Sequence, residues 1–284
     1  MKHTVLATLP FLCSLLSAGD PSLKGGNTLA CETYSLRDLI AAGKLDMTTI
    51  PDFYKQHRIR GISYNDIYFK SFDDDYVDRV KSAVKQAGRS VVCFVITGNL
   101  AMADEAKRRE AIELVKRKLH VAARLGAPRV RINLGSTDAR EKADDTLGVE
   151  RVTAAFLEFL PLAKQLKIKM CIENHGGVSA TARNIVRIIQ GTDPNWVGAL
   201  VDFGNFRNET RYDEIAAVAR YAWATHVSIR EFAAQGEPAD YDIGRVFSIL
   251  KEARYKGPLS IEFTGKSDPI EGARRTRDLI LKHW

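Results

Sequence analysis

The chain has 284 residues, 45% of them hydrophobic and 27% charged, enough apolar material for a sizeable core and the wrong composition for a disordered chain. Its net charge of +7 is spread through most predicted helices, as at 107–109, 116–118 and 274–277, rather than gathered in one block. Charge spread in this way marks solvated helix faces, and no stretch alternates basic with aromatic residues as a nucleic-acid groove would.

Lys2 is followed, His3 aside, by TVLATLPFLCSLLSA, an uncharged run of fifteen residues, and Ser17-Ala18-Gly19 supplies a small-x-small cleavage pattern. Residues 1–19 therefore read as a signal peptide, too short for a comfortable membrane span, and the expected location is periplasmic or extracellular. An N-terminal core helix is the competing reading, which would leave the protein cytoplasmic; Pro10 in mid-run counts against it. Residues 20–27 read as a linker. Export removes Cys13 and leaves Cys31, Cys93 and Cys171, an odd number with no CxxC, expected as buried free thiols.

From residue 28 onward, short apolar runs alternate with longer amphipathic ones. TLACETYSL (28–36) reads as the first strand, with Ser35 or Asp38 able to cap the next segment. A helix over 47–57 has Pro51 near its first turn, and IRGISYND (59–66) is the second strand. Residues 73–87 form a helix with Asp clustered at its positive end, stopped by Gly88. The third strand is 90–99, and a long helix over 102–126 ends at Gly126. PRVRINLGS (128–136) is the fourth strand and 147–165 the next helix. KIKMCIENHGG (167–177) carries the fifth strand into a glycine loop, before a helix over 179–190 capped by Ser179 or Thr181. GALVDFGNF is the sixth strand, 211–223 a helix, and THVSIREF the seventh strand. A helix over 243–257 closes at Gly257, and PLSIEF is the eighth strand. Asp268-Pro269 opens the last helix, with Glu271 placed for a capping box.

Eight strand–helix units with near-continuous apolar strands predict an α/β fold, a single-domain (β/α)8 TIM barrel over residues 28–284. The competitor is an open doubly wound sheet. No GxGxxG follows the first strand, and Gly25-Gly26 precedes it. In a parallel barrel the carboxyl ends of all strands face one mouth. Glu173, Asp202, His226 and Glu262 close the fifth to eighth apolar runs and would converge there. Singly, each could be a loop cap, an ion-pair partner or a core histidine. Together, three carboxylates and an imidazole suit one hard divalent ion, Mn²⁺ first, with Mg²⁺ or Co²⁺ as alternatives.

The motifs IENHGG, LVDFGN, ATHVSIRE and KGPLSIEFTGKSDPIEG resemble those of the xylose-isomerase-like barrels, the sugar phosphate isomerase/epimerase superfamily, over roughly residues 28–282. That resemblance implies that Glu173, Asp202, His226 and Glu262 hold a divalent metal. It also implies that Glu173 and Glu262 are the acid/base pair that moves a proton at the substrate carbon. The epimerase pattern has a second Glu, a His and an Arg where this chain has Ser179, Asn205 and Phe232, so the substrate-gripping set of a ketose 3-epimerase is absent. His175, two residues past Glu173, is the replacement expected for acid/base work or hydroxyl binding; the alternative is a histidine bonding its own loop. Asn205, Arg131, Arg230 and Lys266 are further substrate-binding candidates. Alternation sets Arg131 and Asn133 on one unassigned face, Arg230 could instead pair with Glu231 or Asp202, and Lys266 could be a solvated loop lysine. Tyr34, Asn65 and Asp66 would form the opposite wall.

The expected function is a metal-dependent sugar isomerase or epimerase working through an enediolate. A lyase or dehydratase acting on a keto-sugar or keto-glycoside could use the same groups. A non-catalytic sugar-binding barrel and an endonuclease IV-like enzyme are the remaining readings. The latter needs three zinc ions and many more histidines than the six present. The expected partner is a small carbohydrate, with no nucleic acid and no membrane after signal removal. A homodimer stays open, because barrels of this type often pair.

Overall fold

A computed structural model describes residues 19–136, 146–207 and 209–284. The expected signal peptide, Gly19 excepted, lies outside the described residues, and no described helix is long and apolar enough to cross a membrane. Eight parallel strands close a barrel in chain order: β1 (Leu29–Glu32), β2 (Gly61–Asn65), β3 (Ser90–Ile96), β4 (Arg129–Ile132), β5 (Lys169–Glu173), β6 (Val197–Asp202), β7 (Ala222–Ile229) and β8 (Leu259–Phe263). The ring closes where β1 pairs with β8, Cys31 opposite Ile261. Around it lie α1 (Arg37–Ala41), α2 (Ile50–Gln56), α3 (Asp74–Gln86), α4 (Glu105–Leu125), α5 (Thr146–Leu166), α6 (Ala182–Gln190), α7 (Arg211–Ala219), α8 (Ile243–Glu252) and α9 (Pro269–His283).

Period-two alternation sorts the strand residues into two cores. Met170, Ile172, Val201, Val227 and Ile261 point outward into the layer shared with the helices. Ala30, Val92, Cys93, Cys171, Leu200 and Ala224 form a separate cluster that fills the barrel interior. The interior residues are small, as a narrow closed ring requires. Two residues beyond this filling, the same alternation puts Glu32, Glu173, Asp202 and His226 on the interior face. Helix packing follows the apolar stripes: α4 buries Ile112, Val115, Leu119, Ala122 and Leu125 on one face. Each fully buried Ile or Leu contributes about 1.5–3 kcal/mol. Cys31, Cys93 and Cys171 are buried and free.

The helices expected from 47 and 102 begin at Ile50 and Glu105, and three of the helix starts carry a side-chain cap of the expected kind. Asp104 accepts from the Lys107 amide at 3.1 Å, Thr181 from Asn184 at 3.3 Å and Asp268 from Glu271 at 2.8 Å. The Glu271 carboxylate does not complete a capping box; it pairs with Arg274 at 2.7 Å. Ser35 is not a helix cap either, since its hydroxyl accepts from the Phe263 amide at 3.0 Å and ties the turn after β1 to β8. Two helix ends depart from expectation. The helix expected over 211–223 stops at Ala219, because Ala222 and Trp223 already belong to β7. The one expected over 243–257 stops at Glu252, with Arg254 in the left-handed conformation at φ 56°. Gly257 serves a different purpose. A Cβ there would sit 2.3 Å from the Trp223 carbonyl, so only glycine lets the chain pass into β8.

Candidate active site

Glu173, Asp202, His226 and Glu262 each present one ligand atom, and those four atoms lie within 4.8 Å of one another. The register explains the convergence. Asp202 is directly opposite His226 across β6 and β7, while Glu262 is opposite Ser228, two residues beyond His226 on the same face. His226 Nδ1 is 2.7 Å from Glu173 Oε1 and 3.5 Å from Glu262 Oε1, so the imidazole turns its Nδ1 edge toward the carboxylates. Arg131 reaches the other oxygen of Glu173 through Nη2, which assigns Arg131 to the barrel interior. Asp202 is held from behind: its backbone N–H donates to Asn174 Oδ1 at 2.8 Å, and the Asn174 amide donates to its carbonyl at 2.9 Å. The Gly204 N–H donates to Asp202 Oδ1 at 2.8 Å, leaving Oδ2 buried and without a partner.

Burial and mutual repulsion dominate the electrostatics. Burial, with the charges of Asp202, Glu173 and Glu32 beside it, drives Glu262 well above the ordinary carboxylate range. Burial and the Glu173 charge push Asp202 up to about 6, and burial above all pushes Glu32 up to about 7. Glu173 is buried too, yet Arg131 and His226 outweigh that cost and hold it well below its usual range. Burial alone would lower His226, but Glu262 and Glu173 more than offset it and raise it to about 10. Three carboxylate side chains and an imidazole in one buried cluster, with Asp202 Oδ2 and His226 Nε2 orphaned, suit a divalent cation.

Above the cluster the mouth opens as a cavity of about 560 Å³. Its lining includes Glu173, His226 and Glu262 together with Arg131, His175, Asn205 and Arg230. Asp202 is fully buried beneath it. Lys266 is exposed on the loop after β8 and is not among the lining residues. Arg230 Nη2 donates to Asn205 Oδ1 and Nη1 to the Gly204 carbonyl, both at 3.0 Å, so the two candidates form one fixed unit. His175 stands exposed at the rim, its backbone N–H donating to Ser179 Oγ at 3.3 Å. The loop that carries it needs glycine: Gly177 has φ 56°, and a Cβ there would meet the Gly135 carbonyl at 2.2 Å. Tyr34 and Asn65 line the opposite wall, whereas Asp66 is buried away from it in an ion pair with Lys118 at 2.5 Å. Phe232 stacks on Phe263, their centroids 5.9 Å apart.

Glu32 and Asn174 are the residues that sequence reasoning passed over. Glu32 is 1% exposed, with Oε1 unpartnered and Oε2 accepting from the Tyr34 N–H. The signal was available: like Glu173, it is a carboxylate ending an apolar strand. Asn174 carried no such signal, because its role depends on Asp202 lying alongside.

Among solved structures, L-ribulose 3-epimerase superposes with a TM-score of 0.73 at 15% identity, over 89% of this chain and 93% of that one. D-Psicose 3-epimerase from Clostridium cellulolyticum H10, solved with D-tagatose, gives 0.68 at 15% identity, over 84% and 92%. The 3-keto-D-glucoside 4-epimerase of E. coli gives 0.66 at 14% identity, over 83% and 94%. At these identities the likeness is one of fold. No curated protein matches the chain in sequence. The family model described as the xylose isomerase-like TIM barrel matches residues 52–283, and with its closed eight-stranded barrel the chain belongs to that family.

Proposed function

We propose that the protein is a divalent-metal-dependent sugar isomerase or epimerase that moves a proton on the carbon next to a carbonyl. The observation that carries this reading is the meeting of Glu173, Asp202, His226 and Glu262 within 4.8 Å at the floor of an open, sugar-sized cavity. The sugar 3- and 4-epimerases among the structural neighbours support it. Those four residues would hold one divalent cation, Mn²⁺ before Mg²⁺ or Co²⁺ given the oxygen-rich donor set. When bound, such an ion supplies Lewis-acid polarisation of the substrate oxygens and compensates the charge that develops on them.

The protein's own groups divide the remaining work. The Glu262 side chain is 16% exposed against 3% for Glu173, so Glu262 is the carboxylate that meets substrate and takes the proton. Glu173, with one oxygen on Arg131 and the other on His226, is held ionised, so it returns a proton to the substrate only after taking one up from solvent at the open mouth, where Glu262 releases the one it abstracted. Return of the proton to the opposite face of the same carbon gives an epimer, and return to the adjacent carbon gives an isomer. Arg230 and Asn205 hold sugar oxygens at the wall. A lyase acting on a keto-glycoside is the second reading, favoured by His175: an exposed imidazole at the rim is placed to protonate a departing alkoxide. The substrate class is a free sugar, keto-sugar or keto-glycoside, in keeping with export; amino-terminal sequencing of protein made in its own cell would then begin at Asp20.

Incubation of the metal-loaded protein with ketoses and 3-keto-glycosides in D₂O tests the proposal. Deuterium should enter one carbon, and Glu262→Gln should slow the exchange at least 10³-fold. Saturable sugar binding with neither exchange nor elimination would leave a binding barrel instead.

A further inference from the structure

A second concavity lies at the opposite end of the barrel, where strands begin. It is a cavity of about 400 Å³ lined by Arg129, Lys169, Arg220, Arg254 and Lys256, with Trp223 and Tyr255 as its aromatic wall and no acidic residue in the lining. Arg129 opens β4, Lys169 opens β5, Arg220 follows α7, and Arg254 and Lys256 lie between α8 and β8. Among the described residues, none of these five cations has an ion-pair partner, and together they line one concavity without a carboxylate. What they do contact is neutral. Arg129 Nη1 donates to the Val92 carbonyl at 3.0 Å, and its Nε is buried and unpartnered. Lys169 donates to the Asn195 carbonyl and lies over the Trp196 and Trp223 rings at 4.5 and 5.0 Å.

The wall is built rather than incidental. Trp223 seats against Gly198, where a Cβ would approach its ring to 2.7 Å, and a Cβ on Gly257 would meet the Trp223 carbonyl and the Tyr255 hydroxyl at 2.3 and 2.4 Å. Helix polarity accounts for part of the charge, since Arg220 and Arg254 follow the C-termini of α7 and α8. It does not account for Arg129 and Lys169, which begin strands, or for Lys256. Arg254 also occupies a left-handed position that glycine would fill at lower cost. In this family of barrels the chemistry belongs to the other end, and the strand-start face usually serves stability alone.

We propose that this basal concavity binds a small phosphorylated ligand. Guanidinium groups match phosphate oxygens in pairs, lysines add point charge, and the cleft is the size of a small-molecule site rather than a track for a polymer. A di- or trianion, not a single carboxylate, is the charge that five unpaired cations compensate. The site is separate from the metal cluster at the mouth and does not depend on what that cluster catalyses.

The test uses the Mg²⁺-loaded protein titrated with inorganic phosphate and fructose 1,6-bisphosphate by calorimetry at low salt, with the Trp223 indole followed by NMR. Arg254→Gly combined with Lys256→Ser removes two charges while giving the left-handed position its preferred residue. Binding to this variant should weaken at least tenfold, with loss of the Trp223 shift. Arg117→Ser, exposed on α4 and outside both cavities, should leave both unchanged. Equal affinity in the wild type and the basal variant, no saturable binding up to 10 mM (on the order of the weakest useful affinity), or tight binding only to a long polyanion such as heparin would each overturn the assignment.

Discussion

Arg131 and His226 hold the two oxygens of Glu173, and the consequences for a variant differ. Arg131 is 5% exposed, and its removal leaves the Glu173 carboxylate buried beside other acids. Arg131→Met should therefore destabilise the metal-free protein by about 3 kcal/mol, read from denaturant melts, with saturating Mn²⁺ restoring part of the loss. The raised groups determine the pH dependence. Asp202 at about 6, Glu32 at about 7 and His226 at about 10 all bind protons more tightly in the fold than in the unfolded chain. The stability they contribute is complete below their unfolded values, near 4 for the acids and 6.5 for the imidazole, and is lost as pH rises through 6, 7 and 10. Metal must displace the protons on Asp202 and His226. Its affinity should rise about tenfold per pH unit for each proton displaced between pH 5 and 8, and calorimetry in two buffers of different ionisation enthalpy counts the protons. Glu32→Gln should weaken metal binding about tenfold, measured by competition with a chelator, since it removes a buried negative charge next to the ligand set.

At the scale of elements, most helix ends and the capped starts were legible, and the ends of α7 and α8 were not. Thr181 and Asp268 announce their helices because capping is local chemistry between residues two or three apart. Asp268→Ala should cost about 1 kcal/mol, visible as a lower melting temperature with the metal site intact. The end of α8 was hidden because Arg254 adopts the left-handed conformation usually reserved for glycine, as Arg58 and Lys167 do elsewhere. Gly257, the apparent stop signal, answers instead to Trp223 on a neighbouring strand. The β5 loop shows the same logic at the site. Gly177→Ala would drive a Cβ into the Gly135 carbonyl, displace the segment bearing His175 and cost about 1–3 kcal/mol. Comparison of its sugar affinity with that of His175→Ala separates loop placement from imidazole chemistry.

For the whole molecule, the alternation of short apolar runs and amphipathic stretches was sufficient to foresee a closed parallel barrel, because each run obeys a rule local to itself. The same local rule, a polar residue at the end of an apolar strand, singled out Glu173, Asp202, His226 and Glu262. Period-two geometry carries such residues inward whenever their neighbours face the helices. What required the folded chain was everything that depends on distance across the ring. Only closure puts Arg131 on Glu173, sets Asn174 behind Asp202, brings Glu32 of the first strand up to the last, and leaves Lys266 outside the mouth. The basal cluster is the plainest case: its five cations come from four separate parts of the chain between residues 129 and 256. Sequence alone determined which side chains end each strand, since that is a matter of adjacent residues. Tertiary structure decided which of them meet, since the barrel's register, and not their order in the chain, sets the distances over which charges attract and repel.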